Sequence, residues 1–440
     1  MTKADAPAIN ALRCPWKARC SMIVMGLGQL LYGQIVKGLF FLGVEAGMVY
    51  FFITQGFRDI RGFFTLGTVL GDPWLGTQSD DSMKMLILGI FAILLLIFLI
   101  ILYIVNVKDV LFTAREVAAG RGVRHIGRTL DAMADEKFHV TALSLPVVSV
   151  MIFSILPIVF MILLAFTNLG GNIMYPTALA DWSFSAWEKI FSLGQVGDTF
   201  FKILRWNILW AVMATAVNFF GGLSLALLLN KKNVIGKKIW RAFPVLAYAV
   251  PGFISMVGFK FMFSQSGPIN YLIKAAGHDA VFFLINDPSA KWWARGIGLF
   301  VNAWISIPSV MLMATGILGN INTDLYEAAD IDGATGLQKF FKITLPFVVF
   351  SITPVLISMF VGSFNNFGIF FFLRSGITSN GYFLASDTDL LINWLYGLSV
   401  DNNYYSVGAA ISLIIFLITG GLSLAVYVRT AAYKQEDTFQ

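Results

Sequence analysis

The sequence predicts an all-α, polytopic membrane protein with about eight transmembrane helices. Two observations carry this. Of its 440 residues 57% are hydrophobic and only 13% are charged, against roughly 25% charged in an ordinary soluble domain. The apolar residues also fall in blocks of about twenty, the length a helix needs to cross about 30 Å of hydrocarbon. A soluble globular enzyme is excluded. The formal charge of +6 points to no nucleic-acid partner, because in a membrane chain the placement of charges matters more than their sum. The two cysteines, Cys14 and Cys20, cannot build a disulfide framework, and their setting among Arg13, Lys17 and Arg19 reads as reduced cytosolic thiols.

In chain order the spans are expected at about 35–55, 84–106, 141–167, 206–229, 242–263, 297–318, 346–372 and 403–428. No cleavable signal precedes them, since the first long apolar run follows about twenty mixed residues without a small-residue cleavage pattern. The stretch Gly26–Gly38, with Gln29, Tyr32 and Gln34, is too polar and glycine-rich for a span and reads as an interfacial lead-in. Between the third and fourth spans, Trp182, Phe184, Trp187 and Phe191 fall at near-helical spacing. They predict an amphipathic helix on the outer surface, either packed on the membrane or touching a substrate-delivery protein.

With both termini in the cytosol, about 19 of the 31 basic residues lie inside and about 10 outside, as the positive-inside rule expects. The short loop holding Lys231, Lys232, Lys237, Lys238 and Arg241 fixes the orientation. One cytosolic loop, 319–345, breaks the trend, with Asp324, Glu327, Asp330 and Asp332 against Lys339 and Lys342. It predicts two short helices. The first is capped by Asn322 or Thr323, carries acidic residues in its first turn and ends at Gly333. The second opens with a capping box, Thr335 and Gln338, and runs into Pro346. Small residues Ala328, Ala329 and Ala334 suit such a helix pair to another protein's groove.

The run Glu327-Ala328-Ala329, then Asp332-Gly333-Ala334, then Ile343, Leu345 and Pro346, resembles the signature loop of ABC importer permeases, with the spacing matched throughout. The resemblance widens over about 205–430, where Pro244 to Pro251, Asn302-Ala303-Trp304, Asp324 to Ala328, Phe340 to Pro346 and Asn365-Asn366-Phe367 are similar to the larger permease subunit of the maltose and maltodextrin family. It implies four segments: a cytoplasmic or interfacial stretch 1–34, transmembrane helices one to three within 35–200, a permease core 201–430 containing the 319–345 coupling loop, and a tail 431–440. It further implies a second permease subunit forming a heterodimer, a cytosolic ATP-binding subunit dimer docked on Glu327 and Gly333, and an extracytoplasmic sugar-binding protein, in the cell membrane of a prokaryote. The permease itself is expected to be no enzyme and to hold no cofactor or metal. Its closest approach to a phosphate loop, Gly236-Lys237-Lys238, lacks the upstream glycine and the hydroxyl that binds Mg²⁺. The departure is at about 168–205, where the best-known enteric members insert a folded domain and this chain has a short loop.

Sugar transport needs hydroxyl-binding groups and flat apolar faces near the bilayer middle, because a hydroxyl desolvated without a partner costs several kcal/mol. On the sixth span Asn302, Ser306 and Ser309 share a face, and on the seventh Met359, Ser363, Asn366 and Phe370 do. Each such residue also serves as interhelical glue in a membrane protein. The resemblance assigns Trp304, Ile305, Ser306, Ser309, Met359, Gly362, Ser363 and Asn366 to the substrate. Ser309 and Gly362 stand where the enteric maltose permease has aromatic residues, which leaves the sugar and its chain length open. Among rivals, an ion-coupled secondary transporter would place ionisable relays in the spans, where Glu45 and Lys260 are the visible exceptions. A membrane enzyme finds no metal spacing among His125, His139 and His278. Another glycan is the remaining alternative, and a phosphorylated one would call for Arg or Lys on the stripes, which carry neither.

Overall fold

A computed structural model describes residues 15–71, 78–120, 122–123, 127, 135, 138–171, 179–192, 194–231, 233–284, 287, 289–374 and 378–429. Cys14, His125, the His139 side chain, Lys232 and the 431–440 tail lie outside the described residues. The chain divides into two compact units, Met1–Ser183 and Phe184–Gln440. Among the described residues the regular structure is helical, apart from one isolated bridge between Thr167 and Trp182.

In the first unit two short helices, α1 (Trp16–Ile23) and α2 (Leu27–Leu31), precede α3 (Ile35–Thr65), α4 (Ser82–Ala118) and α5, whose membrane-length part is Ala142–Leu164. The glycine-rich lead-in is not a span, and it folds tightly. Gly26 has φ +83°, and a Cβ there would lie 2.1 Å from the Gly38 carbonyl oxygen. A buried polar cluster then ties α1 and α2 to α4. Ser21 Oγ donates to Gln29 Oε1 at 2.8 Å, Gln29 Nε2 to Asn106 Oδ1 at 3.0 Å, and Asn106 Nδ2 to the Ser21 carbonyl at 2.9 Å. Glu45, an ionisable residue of the first span, accepts from the Met25 amide at 2.8 Å. Lys37 pairs with Asp109 at 2.7 Å.

The second unit comprises α6 (Ser185–Phe191), α7 (Gln195–Asn230), α8 (Lys237–Ala249), α9 (Gly252–Met262), α10 (Pro268–Ala275), α11 (Ala290–Gly319), α12 (Thr323–Ile331), α13 (Gly336–Lys339), α14 (Leu345–Phe364), α15 (Gly368–Arg374), α16 (Leu391–Tyr396) and α17 (Tyr405–Arg429). A π turn, Phe340–Thr344, joins α13 to α14. Helices α7 and α11 form the main packing pair, and a Cβ on Gly222 would come within 2.5 Å of the Val310 side chain. Two apolar clusters are stacked along them. One gathers Trp206, Trp210, Ile297, Val301, Ile369 and Phe370, the other Phe219, Leu223, Met311, Ala314, Val348 and Ile352.

Seven helices among the described residues are long and apolar enough to cross a membrane, with α8 and α9 together as an eighth. That eighth element corrects the expected 242–263 span, because α8 and α9 meet at 92°. Pro251 holds Val250 in extended backbone (φ −79°, ψ 129°). The fourth span starts at Gln195, about ten residues early. The expected outer helix shrinks to α6. Trp182 instead bridges Thr167, with Ser183 N donating to the Phe166 carbonyl at 2.8 Å and Trp182 Nε1 to that of Phe64 at 3.0 Å, so local strand-like pairing outcompetes helix there. Only Trp187 and Phe191 lie on that helix, with their rings stacked 6.5 Å apart.

Replacing Asn106 with Leu removes the side-chain partners of the Gly26 amide and the Ser21 carbonyl, which should cost about 1–3 kcal/mol. A lowered thermal midpoint, with earlier proteolysis within α1, is the expected result in nanodiscs.

Candidate coupling and translocation sites

The acidic loop takes the predicted form. Asn322 Oδ1 accepts from the Asp324 amide at 3.0 Å and so caps α12. At its far end Gly333 has φ +72°, and the Ala334 amide reaches the Ala329 carbonyl at 2.9 Å, a left-handed stop that favours glycine. Thr335 and Gln338 cap α13 reciprocally, through Thr335 N to Gln338 Oε1 at 2.7 Å and Gln338 N to Thr335 Oγ1 at 3.3 Å. Tyr326 and Thr344 hydroxyls meet at 2.8 Å and fasten α12 to the π turn. Glu327, Ala328, Asp332, Gly333 and Pro346 are exposed, whereas Ala329, Ala334, Ile343 and Leu345 are half-buried. Large apolar side chains share this exposed loop, with Ile331 87% and Leu337 72% accessible. Such a surface on a polar loop is suited to a protein partner.

The two membrane stripes meet through their asparagines. Asn366 Nδ2 donates to Asn302 Oδ1 at 3.2 Å, and Asn302 Nδ2 donates to Asn218 Oδ1 at 3.3 Å. The three amides lie between the two apolar clusters. Asn218 was not among the sequence candidates, although an amide side chain between apolar neighbours in α7 was a visible signal. Asn366 Oδ1 also accepts from the Ile369 amide at 3.2 Å, capping α15 where the expected continuous 346–372 span breaks at Asn365–Phe367. The carbonyls freed there are claimed by side chains, Ser363 by Trp210 Nε1 at 3.1 Å and Phe364 by Asn207 Nδ2 at 3.0 Å, and the Phe367 carbonyl, which accepts the Phe371 amide, also accepts from Asn393 Nδ2 at 2.7 Å. Ser363 is buried, and Ser309 Oγ turns back to the Ser306 carbonyl at 2.8 Å. Trp304 is 42% exposed with its ring 6.2 Å from Phe259. Ile305, Ser306 and Met359 are half-buried, and Gly362 is exposed with nothing near its Cβ position. The structure thus brings Asn302 and Asn366 together, and leaves Trp304 and Gly362 on accessible surface.

Beyond this layer lies a charged cluster that spacing alone did not reveal. Arg374, 2% exposed, pairs with Asp387 at 2.6 Å. Arg295 donates to the Asp387 carbonyl at 2.6 Å, and its guanidinium lies 3.8 Å over the Trp206 ring. Trp206 Nε1 reaches the Thr388 carbonyl at 3.0 Å, and Asn207 Oδ1 accepts from the Leu391 amide at 2.7 Å. Burial pushes the Asp389 carboxyl up to about 7, against the Ser386 amide and the Arg374 charge, which lower it.

Comparison with known proteins rests on this geometry. Residues 218–431, which hold the acidic loop and the asparagine layer, match the family described as binding-protein-dependent transport system inner membrane component. The maltodextrin transport system permease protein MdxF of Bacillus subtilis is 32% identical over 430 residues, covering 96% of this chain and 97% of that one. The chain belongs to this permease family. The galactooligosaccharides transport system permease protein GanP of the same organism is 31% identical over 94% of this chain and 97% of its own. The maltose/maltodextrin permease MalF of Escherichia coli is 33% identical over 58% of this chain and 50% of its own. A crystal structure of a bacterial ABC transporter involved in import of the acidic polysaccharide alginate shares the fold, with a TM-score of 0.54 at 20% identity over 68% of this chain and 97% of that one. A second, in complex with alginate pentasaccharide-bound periplasmic protein, has a TM-score of 0.53 at 20% identity over 68% and 96%. The permease is a multi-pass membrane protein and a transport subunit, not itself an enzyme.

Two outcomes follow for the permease. Gly333→Ala forces a left-handed backbone on an L side chain at about 1–2 kcal/mol, so amides at the end of α12 should exchange roughly five to thirty times faster by mass spectrometry. A carboxyl raised in the folded state stabilises most at low pH, and that contribution is lost as pH rises through about 7. Protection of the 378–404 segment, the intrinsic exchange rate divided by the observed rate at the same pH, should therefore be lower at pH 8 than at pH 5.5, and Asp389→Asn should flatten the difference.

Proposed function

We propose that this chain is the larger permease subunit of an ATP-driven importer for maltodextrin-type oligosaccharides. The observation that carries this is likeness along nearly the whole chain to MdxF, a maltodextrin transport system permease protein. The substrate is neutral, consistent with stripes that carry no Arg or Lys. Trp304, Ile305, Ser306, Ser309, Met359, Gly362, Ser363 and Asn366 form its part of the sugar path, with the asparagine layer holding the path's wall. The core spans 201–430, after transmembrane helices within 35–200, and both termini are cytoplasmic in a prokaryotic cell membrane.

Glu327, Ala328, Ala329, Asp332, Gly333 and Ala334 dock in a cytosolic ATP-binding subunit, one of a dimer, and Ile343, Leu345 and Pro346 pass its movement into α14. The exposed apolar side chains beside them support that role. A second permease subunit completes the pore, and an external sugar-binding protein delivers the cargo, as the alginate complex with its loaded periplasmic protein suggests by analogy of fold. A galacto-oligosaccharide is the second reading, favoured by the similarly long match to GanP.

Sugar-stimulated ATP hydrolysis by the reconstituted importer decides between them, because each loaded binding protein is tested separately. Maltodextrin should stimulate and galactooligosaccharide should not. Glu327→Lys should abolish coupling of ATP hydrolysis to uptake, and normal uptake in that variant removes the docking assignment. Asn366→Ala and Trp304→Ala should each lower uptake about tenfold with assembly intact, about the loss of one buried contact, measured with labelled maltotriose.

A further inference from the structure

A cavity of about 280 Å³, which shares only Phe370 with the two stripes, lies between α15, the 378–389 segment, α16 and a π turn at Gly397–Asp401. Its wall combines the rings of Phe371 and Tyr396, 5.5 Å apart and nearly perpendicular, with Asp389, Asp401 and Asn402. Much of their bonding capacity is uncommitted. The Asp401 carboxylate and the Tyr396 hydroxyl make no hydrogen bond among the described residues. Asn402 uses only its amide, donating to the Gly397 carbonyl at 2.7 Å. One oxygen of Asp389 accepts from the Ser386 amide at 2.6 Å, leaving the other lone pairs of the carboxylate.

The backbone around the cavity is also irregular in ways that pure packing does not call for. The π turn supplies Gly397 and Asp401 to the wall, and such turns collect at functional sites. Leu384, another lining residue, has φ +51°, a costly conformation for a branched side chain that persists only where surrounding structure imposes it. The loop carrying it is anchored to α7 and α11 through Trp206, Asn207 and Arg295, so the wall is held rigidly.

The chemistry selects among ligands. Two carboxylates with the Arg374 guanidinium beside them suit neither an anion nor an apolar molecule. A divalent cation is disfavoured, since no group of three His, Cys, Asp or Glu among the described residues is placed to hold one. Carboxylate and amide acceptors around aromatic faces, in a space at the small end for ligand sites, suit a neutral polyhydroxylated ring. We infer that this cavity is an outer saccharide subsite, which takes one end of the oligosaccharide before the chain reaches the stripes around Asn302 and Asn366. The inference rests on the function proposed above, and under that topology the cavity is extracytoplasmic.

The test uses the assembled importer in nanodiscs, on a Cys14→Ser, Cys20→Ser background, with Asn402→Cys as a reporter for maleimide. Saturating maltotriose should slow alkylation about tenfold, and sorbitol, which lacks a ring, should not. Adding Asp401→Asn should raise the maltotriose concentration for half-protection by about tenfold, as for loss of one charge-assisted hydrogen bond. Adding Asn366→Ala should leave protection in place, and its loss there would place the protecting sugar at midplane and overturn the subsite. Equal alkylation with and without maltotriose also overturns it. In that case maltodextrin-stimulated ATP hydrolysis by the parent shows that the subsite alone has failed. Absence of stimulation by any maltodextrin overturns the proposed function and this ligand with it. Should Asn402→Cys not assemble with the ATPase, Thr378→Cys, on the same cavity wall, is the reporter and carries the same outcomes.

Discussion

The second unit is organised around one constraint: a helix that stops inside a membrane must find partners for the carbonyls it releases. At the break after Phe364 the Ser363 and Phe364 carbonyls lose their i+4 helical donors and Trp210 and Asn207 supply replacements, while Asn393 adds a second donor to the Phe367 carbonyl. Those donors come from α7 and α16, so satisfying the break also fixes where both helices run. Asn366 closes the arrangement by capping α15 with one end of its amide and reaching Asn302 with the other. Because each unsatisfied group would cost several kcal/mol in hydrocarbon, this polar layer sets the register on which the apolar clusters above and below it pack.

From that layer the same helical column runs back to the acidic loop. From Gly336 to Phe364 the backbone stays helical through α13, the π turn and α14, roughly 40 Å at 1.5 Å per residue. The Tyr326–Thr344 contact ties α12 to its foot. A partner seated on α12 would therefore act on one end of a stiff rod whose other end is the asparagine layer. Of the proposed residues, Ile343, Leu345 and Pro346 sit near its foot and Met359, Gly362 and Ser363 at its far end.

Much of this was legible because it is local. Apolar blocks set the spans, Asn322 and the Thr335–Gln338 pair set the caps, and Gly333 set the stop. What escaped depended on residues far apart in the chain. Trp182 has helical spacing, yet Thr167, Phe166 and Phe64 take it into another arrangement. Pro251 marks a possible break, but a hydropathy window carries on across it because both flanks are apolar. Asn302 and Asn366 were readable as candidates, whereas their third partner, Asn218, is 84 residues from Asn302. The Arg374–Asp387 pair, with Arg295 arriving from 92 residues away, leaves no periodic trace.

The close crossing of α7 and α11 has a mechanical consequence. With Gly222 against Val310 there is no clearance for even a methyl group, so these two helices cannot slide or roll past each other without separating. They behave as one girder. At the elbow between α8 and α9 the approach is looser, since a Cβ on Gly252 would meet only ordinary contacts at 3.8–3.9 Å. Any rearrangement within this unit therefore carries α7 and α11 together.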